Sequence, residues 1–445
     1  MWVRGRMRFP GAAAIAAGLL ASGMAGDGYA GARTSAPTAD RTAAERAAST
    51  DPVTTGRGDG RDSGDEAGTT PGEPSGGQPE PVGVTETVDA VLGDAGERTH
   101  RLHFPGARYV KVHFSELDVL PGDRVTVADP TGNEVHTYRA DPALASLPGD
   151  SPVTYDESGG FWAMSVSGDT AVVKLERAPG VDRLMTRRNV VIDKVARGLL
   201  AAETPARGGD APRAPAGPGS EESTCGNDDA EDAVCYESDY PTEYAHSRPV
   251  ARLLIDGTSL CTAWRIGPNN RLLTNHHCFR DSAAARGTEV WFDYECTDCG
   301  DATTTTPIKV AGSSVLATNR GLDYTLFTVS DFDEIQEFGY LELETRIAED
   351  GEELYIPQHP GGDPKQISLH SDVDETGACV VDEPSYDGYF AGSDTSYYCD
   401  TAPGSSGSPV LSRRTHKVVA LHHFGGCPNS GVRGDRLYRA LRGRL

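Results

Sequence analysis

The stretch 401-TAPGSSGSPV-410 sets three serines within four positions among two glycines and two prolines. A flexible linker and a tight turn presenting one reactive hydroxyl can be written with the same letters. The residues that follow separate the two, because "PVL" and "KVVALHHFGG" read as buried strands and Cys427 comes directly after. A linker does not lead at once into a buried strand and a cysteine. A nucleophilic serine needs its Oγ projected from a turn, with backbone N–H groups aimed at the oxygen that becomes negative during attack. Gly404 lets the backbone take that shape without a Cβ clash. The N–H groups of Gly404 and Ser406 are the expected oxyanion hole.

A serine of this kind needs a base, and 271-RLLTNHHCF-279 supplies imidazoles at the end of an apolar run. Cys278 would tie that segment down, with Cys261 upstream as its fitting partner across two short strands. A metal site from His276, His277 and Cys278 is a poor reading, since adjacent side chains on a strand point to opposite faces. In 320-RGLDYTLFTV-329 an aspartate opens an apolar strand. A carboxylate buried there must be paired, and a histidine ring N–H is the partner available. Taken alone, Asp323 reads as a turn residue; it gains weight from the histidine and serine motifs.

These three motifs, "TNHHC", "DYTLF" and "GSSGSP" in that order, resemble those of the chymotrypsin-fold serine proteases over residues 223–445. The resemblance implies a mainly β chain with two packed antiparallel six-stranded barrels and the site between them. His277 is then general base and acid, Asp323 its orienting carboxylate and Ser406 the attacking group. Within that fold, "STCGNDDAEDAVC", "VWFDYECTDC" and the cysteine after "HHFGG" are most similar to bacterial lysyl endopeptidases. That similarity implies the disulfides Cys225–Cys427, Cys235–Cys299 and Cys261–Cys278. Cys379–Cys399 is left as a further bridge and Cys296 as the odd thiol. Animal digestive relatives carry Asp immediately before the nucleophile, where this chain has Ser405, so activation must differ.

Specificity is the open part of the reading. Asp400 lies six residues ahead of Ser406, where trypsin-like enzymes hold the carboxylate for Lys or Arg, and this favours cleavage after basic residues. Glutamyl endopeptidases are also similar here, with a histidine at the place of His422 that binds an acidic side chain. His423 and Phe424 stand beside it as further wall candidates. Asp435, in "VRGDRLY", is a third carboxylate candidate by similarity to lysyl endopeptidases.

The rest of the chain frames this domain. Sixty-six acidic against forty-one basic residues give a net charge of −25, which argues against a nucleic-acid partner. Arg4, Arg6 and Arg8 precede a small apolar run ending in "AGA", so residues 1–32 read as a signal peptide cut near Ala32. Residues 33–85 read as a disordered tether in which Arg57-Gly58-Asp59 is a chance tripeptide. Residues 86–178 show period-two alternation, with Val110, Val112 and Phe114 on one face. They are expected to form a small β-sandwich, an accessory or pro domain. Residues 179–222 read as a linker with a processing site, interrupted by a short helix in "RRNVVIDKVARGLL". All nine cysteines fall at or after Cys225, which suits an oxidising compartment and one disulfide-stapled domain.

The expectation is therefore a secreted, monomeric serine endopeptidase acting on protein or peptide substrates. It needs neither cofactor nor metal and leaves the membrane once its signal is removed. The rival class is a protease-like scaffold turned binding or adhesion module.

Overall fold

A computed structural model describes residues 79–93, 97–142, 147–179, 189–200, 202–203 and 222–445. The expected signal peptide and nearly all of the expected tether lie outside the described residues.

The first described region is built from two sheets around one core. One sheet runs in the order Gly83–Gly93, Asn189–Gly198, Tyr109–Leu117, Phe161–Ala163, Val153–Thr154, with Val166–Ser167 also paired to Tyr109–Leu117. The other runs Thr99–His103, Thr170–Glu176, Arg124–Ala128, Val135–Tyr138. Val110, Val112 and Phe114 meet Val125, Val127, Ala171, Val173 and Leu175 in the shared core. This is the one-sided burial that alternation dictates.

The stretch read as a short helix in a linker is instead the strand Asn189–Gly198, paired on both sides. The reason is a register shift between Ile192 and Lys194. It moves the buried set from Val190 and Ile192 to Val195, so the apolar spacing changes from two to three. A bulge thus imitates helical periodicity.

Residues 250–329 form a closed barrel. Its strands follow the order Ser259–Arg265, Val250–Ile255, Thr288–Phe292, Ile308–Asn319, Tyr324–Val329, Leu272–Thr274, and the last returns to the first. The second half does not close as a six-stranded barrel. It curls as an eight-stranded sheet in the order Glu231–Asp232, Gln366–Ser368, Leu354–Gln358, Pro409–Ser412, Val418–Phe424, Asn429–Arg433, Asp394–Tyr397, Val381–Tyr386. The whole is a mainly β, chymotrypsin-like double barrel. Disulfides join Cys225 to Cys427, Cys235 to Cys299, Cys261 to Cys278 and Cys379 to Cys399, while Cys296 is a buried thiol.

The two-sheet module is seated on the closed barrel by groups the alternation left unexplained. On Tyr109–Leu117 the face opposite the module's core is buried too. Tyr109 donates its hydroxyl to the Gly257 carbonyl at 2.8 Å, and Lys111 pairs with Glu289 of the barrel. Glu289 also accepts from the Ser165 hydroxyl at 2.7 Å and from Trp291 Nε1 at 2.8 Å. Lys309 of the barrel reaches back to Glu134 and to the Ser165 carbonyl. Upstream, Glu80–Pro81 adds an edge strand to Ser259–Arg265.

Buried charges of this kind are tolerated because each has a partner, and removing one partner strands the other. Burial opposes ionisation of Glu289, yet Lys111 and Lys309 hold its carboxyl down at about 2. A depressed carboxyl contributes stability that is present above its unfolded value and is lost as the pH falls towards 2. Glu289→Ala should therefore lower stability by about 3–5 kcal/mol at neutral pH. It should also remove part of the acid-side slope, both read from denaturant melts across pH.

Candidate active site

The turn that carries the candidate nucleophile Ser406 is held by backbone hydrogen bonds, within itself and to neighbouring strands. Ser405 N donates to the Ala402 carbonyl and Ser408 N to the Ser405 carbonyl, each at 2.9 Å. Thr262 N reaches the Ser406 carbonyl at 2.8 Å and Gly407 N the His422 carbonyl at 3.0 Å. Gly404 and Gly407 take φ of +102° and +91°. A Cβ on Gly407 would lie 2.1 Å from the Thr262 carbonyl oxygen, so no other residue fits there. The Ser408 hydroxyl has no partner among the described residues, so Ser408 supports the turn through its backbone.

His277 follows the short barrel strand Leu272–Thr274, and Asp323 immediately precedes Tyr324–Val329, which pairs with it. The imidazole thus lies between the serine and the carboxylate. Its Nε2 is 2.9 Å from Ser406 Oγ and its Nδ1 is 2.8 Å from Asp323 Oδ2. The backbone N–H of His277 donates to the other carboxylate oxygen at 3.0 Å. Asp323 has a φ of +39°, which costs energy in a residue other than glycine. Asn275 Nδ2 anchors its carbonyl at 2.9 Å. Neighbouring His276 turns to Thr318 Oγ1 at 2.8 Å.

His423 was expected in the wall of the substrate pocket; the structure puts it behind Asp323. Its Nδ1 is 3.2 Å from Asp323 Oδ2 and its Nε2 2.7 Å from Asp394 Oδ2. Burial alone would lower its pKa, but the two carboxylates overcome this and raise it to about 9. Burial also works against ionisation of Asp323, yet His277 and His423 hold its carboxyl well below the usual range. Asp394 gave no signal in the sequence, being one acid in "GSDTSY". Phe424 stacks on the His423 ring at 3.8 Å between centroids and meets Tyr389 edge-on.

The two carboxylates proposed to receive a basic side chain are both engaged. Asp400 accepts the backbone N–H of Cys225 and of Asp229, each at 2.7 Å. Burial, with Asp228 and Asp229 nearby, raises it to about 7. Asp435 sits in the first turn of the helix Gly434–Leu441, paired with Arg433 at 2.9 Å and with Arg439. His422 is wholly buried, its Nδ1 2.8 Å from the Tyr397 hydroxyl, and its Nε2 has no partner among the described residues. Burial and the neighbouring His423 and His277 lower it to about 3.

Among the described residues, Cys261, His277 and Cys278 are close enough together to hold a metal ion. Both sulfurs are used in one disulfide, so the set offers no thiolate.

A family model described as a trypsin-like peptidase domain matches residues 261–421. Secreted RxLR effector protein 73 of Plasmopara viticola is 31% identical over 350 residues, covering 76% of this chain and 80% of that protein. The chain belongs to the family of that protein and carries a trypsin-like peptidase domain. Two similar solved structures are a Glu endopeptidase in complex with MPD and the thermostable serine protease AL20 from an extremophilic microorganism. The first is 19% identical and covers 49% of this chain and 97% of that one, with a TM-score of 0.37. The second is 14% identical and covers 45% and 100%, with a TM-score of 0.32.

Within the trypsin-like domain, His423 and Asp323 make the site's integrity depend on pH. A histidine raised above its unfolded value contributes stability that is complete below about 6.5 and is lost as the pH climbs through about 9. Thermal melts of the wild type should fall across that window, and His423→Phe should flatten the fall. An unchanged slope in the variant would remove His423 from the account.

Proposed function

We propose that the chain is a secreted serine endopeptidase that hydrolyses peptide bonds through an acyl-enzyme on Ser406. The observation that carries this is His277 bridging Ser406 Oγ at 2.9 Å and Asp323 Oδ2 at 2.8 Å. In this reading Ser406 Oγ attacks the scissile carbonyl while His277 Nε2 takes the hydroxyl proton. Asp323 keeps Nδ1 protonated and stabilises the imidazolium that forms. The N–H groups of Gly404 and Ser406 receive the oxyanion. His277 then returns its proton to the leaving amine, and water repeats the sequence to release the acid. Secretion is supported by the signal-like residues 1–32, by four disulfides and by a relative whose own name calls it secreted.

The preference we propose is for an acidic residue before the scissile bond. The basic reading lacks a free receptor, since Asp400 is capped by two backbone N–H groups and Asp435 by two arginines. His422 offers a buried nitrogen with no partner beside the nucleophile turn, and a carboxylate entering there would satisfy it. The two-sheet module is proposed to stay attached, because shedding it would expose Lys111, Glu289 and Lys309, which are buried in the interface.

The kinship with an effector protein gives the binding-module reading its one support, and turnover separates the two. A peptide-library digest should show cuts after Glu or Asp, and His422→Ala should lower kcat/KM for those peptides about tenfold or more. Ser406→Ala should keep its disulfides and lose hydrolysis by several orders of magnitude. Cuts confined to Lys and Arg would overturn the acidic preference. No turnover by the wild type, whether intact or processed in the linker before Cys225, would favour the binding module.

A further inference from the structure

Glu222 immediately precedes the strapped segment Ser223–Cys225 and played no part in the sequence reading. Its carboxylate is nevertheless bound to the candidate nucleophile. Glu222 Oε1 accepts the backbone N–H of Ser406 at 3.0 Å and is hydrogen-bonded to Ser406 Oγ as well. That N–H is one of the two donors assigned to the oxyanion hole.

The hydroxyl has a single proton. With Nδ1–H of His277 given to Asp323, a neutral imidazole can only accept at Nε2, and it needs that same proton. When the Ser406 hydroxyl donates to Glu222 instead, the base is denied it. A carboxylate with charge-assisted bonds therefore competes with both the general base and the incoming carbonyl oxygen.

The segment after Glu222 is strapped in place. The Ser223 carbonyl accepts from Asn429 Nδ2 at 2.7 Å and from Thr401 N at 3.2 Å, and Gly426 N donates to the Ser223 hydroxyl at 3.1 Å. Cys225 is fixed twice, by its disulfide to Cys427 and by its N–H on Asp400. The capping of Asp400, which removes it as a receptor for substrate, thus anchors the strap that presents Glu222. Burial raises the Glu222 carboxyl above the usual range. This is the cost of bringing it into the site.

We propose that the oxyanion hole is a carboxylate-binding site whose resident ligand is Glu222, so that the chain is latent until this segment is drawn out. The inference rests on Ser406 being the nucleophile. The test is the rate of labelling by a fluorophosphonate probe, using the full chain as wild type, Glu222→Ala, Glu222→Gln and Ser406→Ala. Glu222→Ala should react about tenfold faster or more, as loss of a charge-assisted contact implies. Glu222→Gln, which keeps an acceptor without the charge, should fall between the two, and Ser406→Ala should not react. Equal or slower labelling of Glu222→Ala or Glu222→Gln, in protein with the wild-type melting curve, overturns the latch and leaves the nucleophile standing. No labelling of any protein overturns the nucleophile assignment and the latch with it.

Discussion

The buried carboxylate of Asp323 is the constraint around which the site is arranged. It belongs to the closed barrel, where a left-handed backbone and Asn275 hold it at the head of a strand. Its oxygens are shared between His277 of the same barrel and His423 of the curled sheet. A carboxylate without water must have all its acceptor capacity met, and here meeting it requires both halves to be in register. Asp394 completes the arrangement from the far side by keeping His423 charged. The chain of contacts runs from the Asp394 carboxylate through the His423 imidazolium and the Asp323 carboxylate to the His277 ring and the Ser406 hydroxyl. Displacing the curled sheet would leave Asp323 undercompensated.

Much of the remaining polar chemistry is also spent on holding pieces together. Glu289 and Lys111 join the two-sheet module to the barrel, and Lys309 with Glu134 does so from the opposite direction. Asp400 holds the backbone that leads into the domain. Of these, Asp400 reads from its position as a candidate for substrate. Among the described residues, the Nε2 of His422 and the Ser408 hydroxyl are both left unsatisfied at the turn that carries Ser406, and the proposed acidic preference rests on the first.

The sequence was most legible where one local pattern determines the outcome. The glycine at 404 marked a turn that needs its conformational freedom, and the motifs at His277, Asp323 and Ser406 lie at the ends of strands that the fold brings together. Period-two alternation likewise exposed the core face of Tyr109–Leu117. It said nothing of that strand's other face, because Lys111 and His113 look solvent-directed, whereas Lys111 meets Glu289 of the barrel and His113 packs on Trp162 within the module. The strand Asn189–Gly198 was hidden by its bulge, and His423 by its neighbour His422, since adjacent strand positions face opposite ways. Asp394 and Glu222 were not legible at all. Each depends on a contact across a long span of chain, and the acids around them offer no way to choose.

The central claim is that one serine of the three in the opening stretch is activated by the buried carboxylate through His277. Peptide mapping of the protein after fluorophosphonate treatment tests it most directly. The account predicts a single adduct on Ser406, absent when His277 is replaced by alanine. An adduct on Ser405 or Ser408, or one on Ser406 that forms equally well without His277, would contradict it.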